Sequence, residues 1–270
     1  MVEPHPPSRL RLLLILVAYH PSQAEVERLA ECLASLPAEV GYAVVANDHR
    51  EGEPVDWLAP AATLFLPMAS NLGYGRAVNR AVSAWCRRSR LPEWIGALNT
   101  DLSWDPGSFE TLLGWLESQP EVTLAVPRIT DPAGQPQQLC KQDPTLLGLF
   151  SRRFLPDGLK PAWLRRYDSR YVMADRDLDT VFAVPYLSGC CMLIRARAFL
   201  DVGGFDERYF LYLEDADLTR RLRALGRTLH LPVATMVHAW GRGNHSSWRL
   251  TLVNLHSAWI YFRTWGFRCC

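Results

Sequence analysis

Seven apolar residues in a row, Leu12-Leu-Leu-Ile-Leu-Val-Ala18, followed at once by Tyr19-His20-Pro21, leave this chain few folds to choose from. The run is short, partly β-branched and without polar alternation, which fits a strand buried on both faces inside a parallel sheet. Ser22 with Glu25 three residues on forms a capping box, and Val26, Leu29, Ala30, Leu33 and Leu36 continue at helical spacing. Strand followed by helix is therefore the opening unit.

The same rhythm recurs. Strands are predicted over residues 42–46, 63–66, 94–98 and 122–126, a helix over 76–85, and another behind Asp105-Pro106, read as a cap with proline at the first helical position. Such alternation specifies a doubly wound α/β sheet, mostly parallel and flanked by helices. Between Arg128 and Pro185 no period is sustained, and a stretch of that length is expected to be a functional, acceptor-facing loop. Order returns with an apolar run at 186–194, helices near 197–202 and 214–225, strands near 228–231 and 234–238, and a last amphipathic helix at 247–265. One domain is expected over 1–270: a donor half at 10–127, an acceptor and catalytic half at 128–247 and a C-terminal helix at 248–270.

Bulk properties exclude more than they specify. At 270 residues and 49% hydrophobic, the chain can bury a full core. Its 29 basic against 28 acidic residues give no global field for nucleic acid, so any anion site must be local. Seven cysteines, an odd number with no two-residue gap between any pair, read as reduced thiols of a cytoplasmic protein. The 12–18 run is far short of the roughly 20 residues of a membrane span, and no small-residue cleavage site follows it.

Three constellations carry chemistry. Asn71-Leu-Gly-Tyr-Gly-Arg-Ala-Val-Asn79 follows a strand and opens a helix. Its glycines, Gly73 and Gly75, either let a diphosphate approach helix N-terminal amides or only make a tight turn. Asn99-Thr-Asp101 ends a very apolar strand, where ligands of open sheets bind. Asp101 either holds a hard divalent cation or is an ordinary turn former; Leu102-Ser-Trp-Asp105-Pro106 reads as loop and cap. Glu214 and Asp215 open a helix whose dipole favours ionised carboxylates, as a general base requires, although acids there also merely cap; Asp217 reads as an ion-pair partner of Arg221. His238 ends a strand and is followed by glycines and Arg242; imidazole suits Mn²⁺ alongside oxygen ligands. Trp163, Trp240 and Trp248 stack on sugars or fill the core, with core the safer reading.

Taken in order, N-L-G-Y-G-R-A-x-N, N-T-D, G-G-F-D-E-R-Y-F-L-Y-L-E-D-A-D-L and His238 closely resemble the second sequence family of GT-A glycosyltransferases, and within it the bacterial rhamnosyltransferase-type enzymes. The likeness runs over roughly residues 10–265 and is most specific at E-D-x-D-L. It implies a GT-A fold and an inverting, metal-dependent hexosyltransferase. The sugar, rhamnose from dTDP-rhamnose being the leading candidate, would pass from a nucleotide-sugar donor to a hydroxyl of a glycan or lipid-linked acceptor in polysaccharide biosynthesis. Carried over by residue, it makes Asp215 the base with Glu214 beside it, and Asp101 and His238 ligands of Mn²⁺ or Mg²⁺. Gly73 and Gly75 lie near the donor, and Asn71, Arg76, Asn99, Asp101 and Arg242 are read as donor-binding residues. Asn47-Asp48 stands where the family usually shows D-N at the base-reading strand end, and Asn99 replaces the first acid of D-x-D. The chain stops at Gly266-Phe-Arg-Cys-Cys270, which the likeness reads as loss of part of the acceptor end. The aromatic segment 259–267 either makes peripheral contact with the inner face of a membrane or is an ordinary packed helix. A catalytically silent glycan-binding or scaffold homologue is the rival reading. A sugar-phosphate nucleotidyltransferase would want a basic glycine loop after the first strand, where Tyr19-His-Pro-Ser stands.

Overall fold

A computed structural model describes residues 10–239 and 248–270. The strands are β1 (Leu12–Ala18), β2 (Val40–Ala46), β3 (Leu64–Pro67), β4 (Trp94–Asn99), β5 (Leu102–Trp104), β6 (Val122–Thr130), β7 (Cys140–Lys141), β8 (Phe182–Ala183), β9 (Tyr186–Leu187), β10 (Cys191–Arg195) and β11 (Arg227–His238). The helices are α1 (Gln23–Ala34), α2 (Tyr74–Cys86), α3 (Ser108–Glu117), α4 (Leu146–Phe154), α5 (Ala162–Tyr171), α6 (Ala196–Asp201), α7 (Glu214–Arg223) and α8 (Trp248–Trp265).

The main sheet runs β3-β2-β1-β4-β10-β6-β11-β5, with β8 added on β11. β1 pairs in parallel with β2 and β4, and β6 with β11, whereas β10 runs antiparallel between β4 and β6. Leu12 through Leu16 are all 0% exposed, as expected of a strand covered on both faces. The capping box of Ser22 and Glu25 forms as read. A smaller apolar cluster that includes Tyr209, Leu213, Ile260 and Phe262 seats α8 against α7. Asp217, 1% exposed, links the same two helices: it holds Arg221 at 2.7 Å and accepts from the Trp265 indole at 2.8 Å.

Several local expectations are corrected. Asp105-Pro106 does not cap α3, since Gly107 in a left-handed conformation is the cap residue and Asp105 only closes the turn through its carbonyl. The segment before it is strand β5, held by residues 132 to 136 positions away, Met236 to His238. The two strands near 228–238 are one, β11, with a register shift between Leu231 and Thr235. The stretch from Arg128 to Pro185 contains α4 and α5, whose arginine-rich outer faces hide the helical period. Trp163 and Trp248 are exposed, at 61% and 68%, and do not fill the core; Trp240 lies outside the described residues.

A joint ties the glycine loop and α2 to the segment that precedes α7. Gly73 has φ +80°, and a Cβ there would lie 2.1 Å from the Phe210 carbonyl oxygen; a Cβ on Gly75 would lie 2.7 Å from Phe205 Cβ. Asn79 completes the joint, donating to the Phe205 carbonyl at 2.8 Å and accepting from its amide at 2.9 Å. Gly73→Ala is therefore expected to lower the unfolding free energy by about 3 kcal/mol, from backbone strain plus a contact that cannot relax. Gly52→Ala, with φ +85° but open space around it, should lose only about 1 kcal/mol. Equal losses in urea titrations of the two variants would show that the Phe210 contact contributes nothing.

Candidate active site

The carboxyl ends of β1, β2 and β4 open on one side of the sheet, where strand order turns back on itself and ligands of such sheets bind. A cleft of about 910 Å³ lies there, lined among others by Tyr74, Asn99, Lys141, Glu214, Asp215 and His238. Five segments distant in sequence thus meet around one volume.

Glu214 and Asp215 begin α7, directly after Tyr212 and Leu213, two non-glycine residues in left-handed geometry. The helix dipole favours ionised acids here, but burial overrides it. Desolvation, then the neighbouring Asp215 charge, push Glu214 well above the ordinary carboxylate range. Burial also pushes Asp215 up, but its charged form has support: the Lys141 ammonium, the Gly189 and Ala216 amides, both at 2.9 Å, and the Tyr186 hydroxyl at 3.5 Å. Glu214 Oε2 has no partner among the described residues. Both acids are thus shifted toward their protonated forms, and Asp215 has the more support for its charge.

At the other wall, His238 Nε2 stands 3.2 Å from Asp101 Oδ1. Both atoms are buried, and neither makes a hydrogen bond among the described residues. Gln137 fixes the ring: its amide donates to the His238 carbonyl at 2.9 Å, so its Oε1 accepts from His238 Nδ1–H, also at 2.9 Å. That leaves the Nε2 lone pair directed toward the Asp101 oxygen. Two orphaned Lewis bases side by side, with the ring oriented from behind, fit a divalent cation. Among the described residues no group of three ligating side chains exists, so the remaining positions would belong to substrate oxygens and water.

The donor-side expectations fare differently. Asn99 lines the cleft, its backbone N–H donating to the Cys190 carbonyl at 3.0 Å. The glycine loop is not an open anion cradle: the Leu72, Gly73 and Tyr74 amides already bond to Asn47 Oδ1, Asn71 Oδ1 and the Phe210 carbonyl. Asn47, 2% exposed, and Asn71 are therefore braces of this loop, not groups facing a ligand through their side chains. Arg76 points away to the Glu207 carbonyl at 2.8 Å. Asp48, at φ +56°, bonds His20 at 3.1 Å, and His20 also meets Glu53 at 2.6 Å, at the ends of β1 and β2. Arg242 lies outside the described residues.

Sequence reasoning missed Lys141, which bonds Ser188 Oγ at 2.8 Å and lies 4.7 Å from the Tyr186 ring centre. It missed Gln137 and the Gly189 amide as well. A signal for Lys141 did exist: the chain has only two lysines among its 29 basic residues, and both are engaged in networks. Tyr74, inside the glycine motif, donates to the Gly189 carbonyl at 2.7 Å and so ties the loop to the segment that supports Asp215.

A mostly parallel sheet with a carboxylate pair and an Asp–His pair bordering one cleft matches the arrangement of the GT-A glycosyltransferases that the sequence resembles. Solved structures agree on the fold. The mannosyltransferase PcManGT of Pyrobaculum calidifontis, in complex with GDP-Man and Mn²⁺, superposes with TM-score 0.58 at 16% identity, over 92% of this chain and 62% of that one. GalNAc-T7 with UDP, GalNAc and Mn²⁺ gives 0.63 at 12% identity, over 97% of this chain and 49% of that one. No family model matches. The N-acetylglucosaminyl-diphospho-decaprenol L-rhamnosyltransferase of Mycobacterium tuberculosis, however, is 31% identical over 267 residues, 92% of this chain and 86% of its own length. The chain belongs to this family of rhamnosyltransferases.

The carboxylate pair has a thermodynamic signature. Acids that ionise less readily when folded hold extra protons above about pH 4.3, the ordinary glutamate value, so stability falls as pH rises from there. In urea titrations between about pH 5 and pH 8, Glu214→Gln should lose stability less steeply than the wild type and exceed it at the alkaline end. Matching slopes would mean that the proton does not sit on Glu214.

Proposed function

We propose that the chain transfers L-rhamnose from a dTDP-linked donor to a hydroxyl of a lipid-linked acceptor bearing N-acetylglucosamine, inverting the anomeric centre. The relative named for that acceptor supports the substrate pair. The observation that carries the chemistry is the support around Asp215, whose carboxylate accepts from two amides and lies near the Lys141 charge in a cleft large enough for two substrates.

A general base must be ionised before it meets its hydroxyl. Asp215 takes the acceptor proton as the acceptor oxygen attacks the anomeric carbon; the new glycosidic bond forms, the bond to the diphosphate oxygen breaks, and the nucleoside diphosphate leaves with that electron pair. Neutral Glu214, its Oε2 free, donates a hydrogen bond that orients the acceptor. Lys141 favours the charged form of Asp215 through its own positive charge. Asp101 and His238 would hold Mn²⁺ or Mg²⁺, which supplies charge neutralisation at the leaving diphosphate; neighbours solved with Mn²⁺ support this assignment. A catalytically silent glycan binder would have no use for a carboxylate supported in this way.

Thermal shift separates these readings. dTDP-rhamnose at about 100 times its Kd adds roughly 2.7 kcal/mol, a rise of several degrees for a chain this size. The rise should require Mn²⁺ or Mg²⁺ and disappear in Asp101→Ala. Asp215→Asn should keep the shift while losing about 10²- to 10⁴-fold in kcat with the lipid-linked acceptor. If neither dTDP-rhamnose nor UDP-, GDP- or CMP-sugars shift the protein with either metal, the silent reading takes over.

A further inference from the structure

Charge is unevenly placed along this chain. The formal net charge is +1, yet the residues after Asp217 include eight arginines and no acidic residue. Within that stretch, α8 carries Trp248, Leu252, Leu255 and Trp259 at spacings of four, three and four, which puts them on one face. All are at least half exposed, at 68, 55, 50 and 52%. The opposite face is packed through Ser257, Ile260 and Tyr261. Arg249 and Arg263 border the stripe, their guanidiniums over the Trp248 and Trp259 rings at 5.7 and 5.0 Å.

On its other border an apolar groove of about 570 Å³ opens between α8 and α4. Leu146, Phe150 and Phe154 of α4 stand one turn apart there, 40, 54 and 46% exposed. The same helix carries Arg152, which lines the catalytic cleft, so cleft and groove share one element.

We propose that the face made by α8 and α4 seats on an anionic bilayer, its tryptophans and phenylalanines in the headgroup layer and Arg249 and Arg263 against lipid phosphates. An apolar stripe bordered by arginine, with aromatics and no acid, is the chemistry of a helix lying in the interface plane. Among the described residues no helix is long and apolar enough to cross a membrane, which leaves side-on contact for this face. A second copy is a poorer occupant, because a twofold dimer would set the arginines of one α8 against those of the other.

Vesicle sedimentation tests this without donor or acceptor, so it stands or fails apart from the reaction proposed above. The purified full chain should pellet with phosphatidylcholine vesicles containing about a third phosphatidylglycerol, not with phosphatidylcholine alone, and should release as salt rises. Arg249→Gln with Arg263→Gln should weaken partitioning about fivefold per charge removed. Phe150→Ser with Leu255→Ser should also weaken it, both pairs keeping the wild-type thermal midpoint. Wild type left in the supernatant with anionic vesicles, folded variants that pellet like wild type, or a dimer in sedimentation velocity that Leu255→Ser dissolves would each overturn the proposal.

Discussion

Gly73 has no side chain, and the carbonyl of Phe210 occupies the space where one would begin. From that approach follows the rest of the site. The segment that carries Phe205 and Phe210 can settle on α2 only there and at Gly75, and Asn79 pins it with both atoms of its amide. The segment then has to turn sharply, at Tyr212 and Leu213, to enter α7 with Glu214 and Asp215 over the ends of the sheet strands. The two most distinctive stretches of sequence, near 71–79 and 203–217, are therefore two sides of one joint. Tyr74 extends it to Gly189, the residue whose amide supports Asp215.

Electrostatics at the joint are decided by magnitude. A helix N-terminus is worth typically about 0.3–1 kcal/mol to a carboxylate at the surface. Desolvation of a fully buried acid shifts its equilibrium by up to several pK units, which is several-fold larger. Adjacent residues on one helix end therefore part company according to their other neighbours. Asp215 gains an ammonium, two amides and a phenol, and Glu214 gains nothing comparable.

The sequence revealed whatever depended on local pattern. β1, β2 and β4 were legible because strands covered on both faces must be continuously apolar, and Ser22 with Glu25 because a capping box is contained in four residues. The same holds for Asp217 with Arg221, one helical turn apart. β5 was not legible, since three residues form a strand only because Met236 to His238 lie beside them. α4 and α5 were obscured by arginines on faces that need no period. The glycine motif was legible, but its partner was not: what fills the space beside Gly73 comes from 137 positions further along the chain. Lys141 sat in an aperiodic stretch, and its meaning exists only through Ser188, Tyr186 and Asp215.

Tyr212 and Leu213, both left-handed at φ 70° and 63°, cost the fold about 1–3 kcal/mol each, next to two acids that would be more comfortable in water. Strain and buried charge are thus concentrated in four consecutive residues, while the sheet behind them has little left to improve. A library selected only for heat resistance would drift toward substitutions in this turn, glycine at 212 or 213 and amides at 214 or 215, because that is where stability is easiest to gain. Laboratory evolution for robustness and for turnover would therefore pull the same four positions in opposite directions.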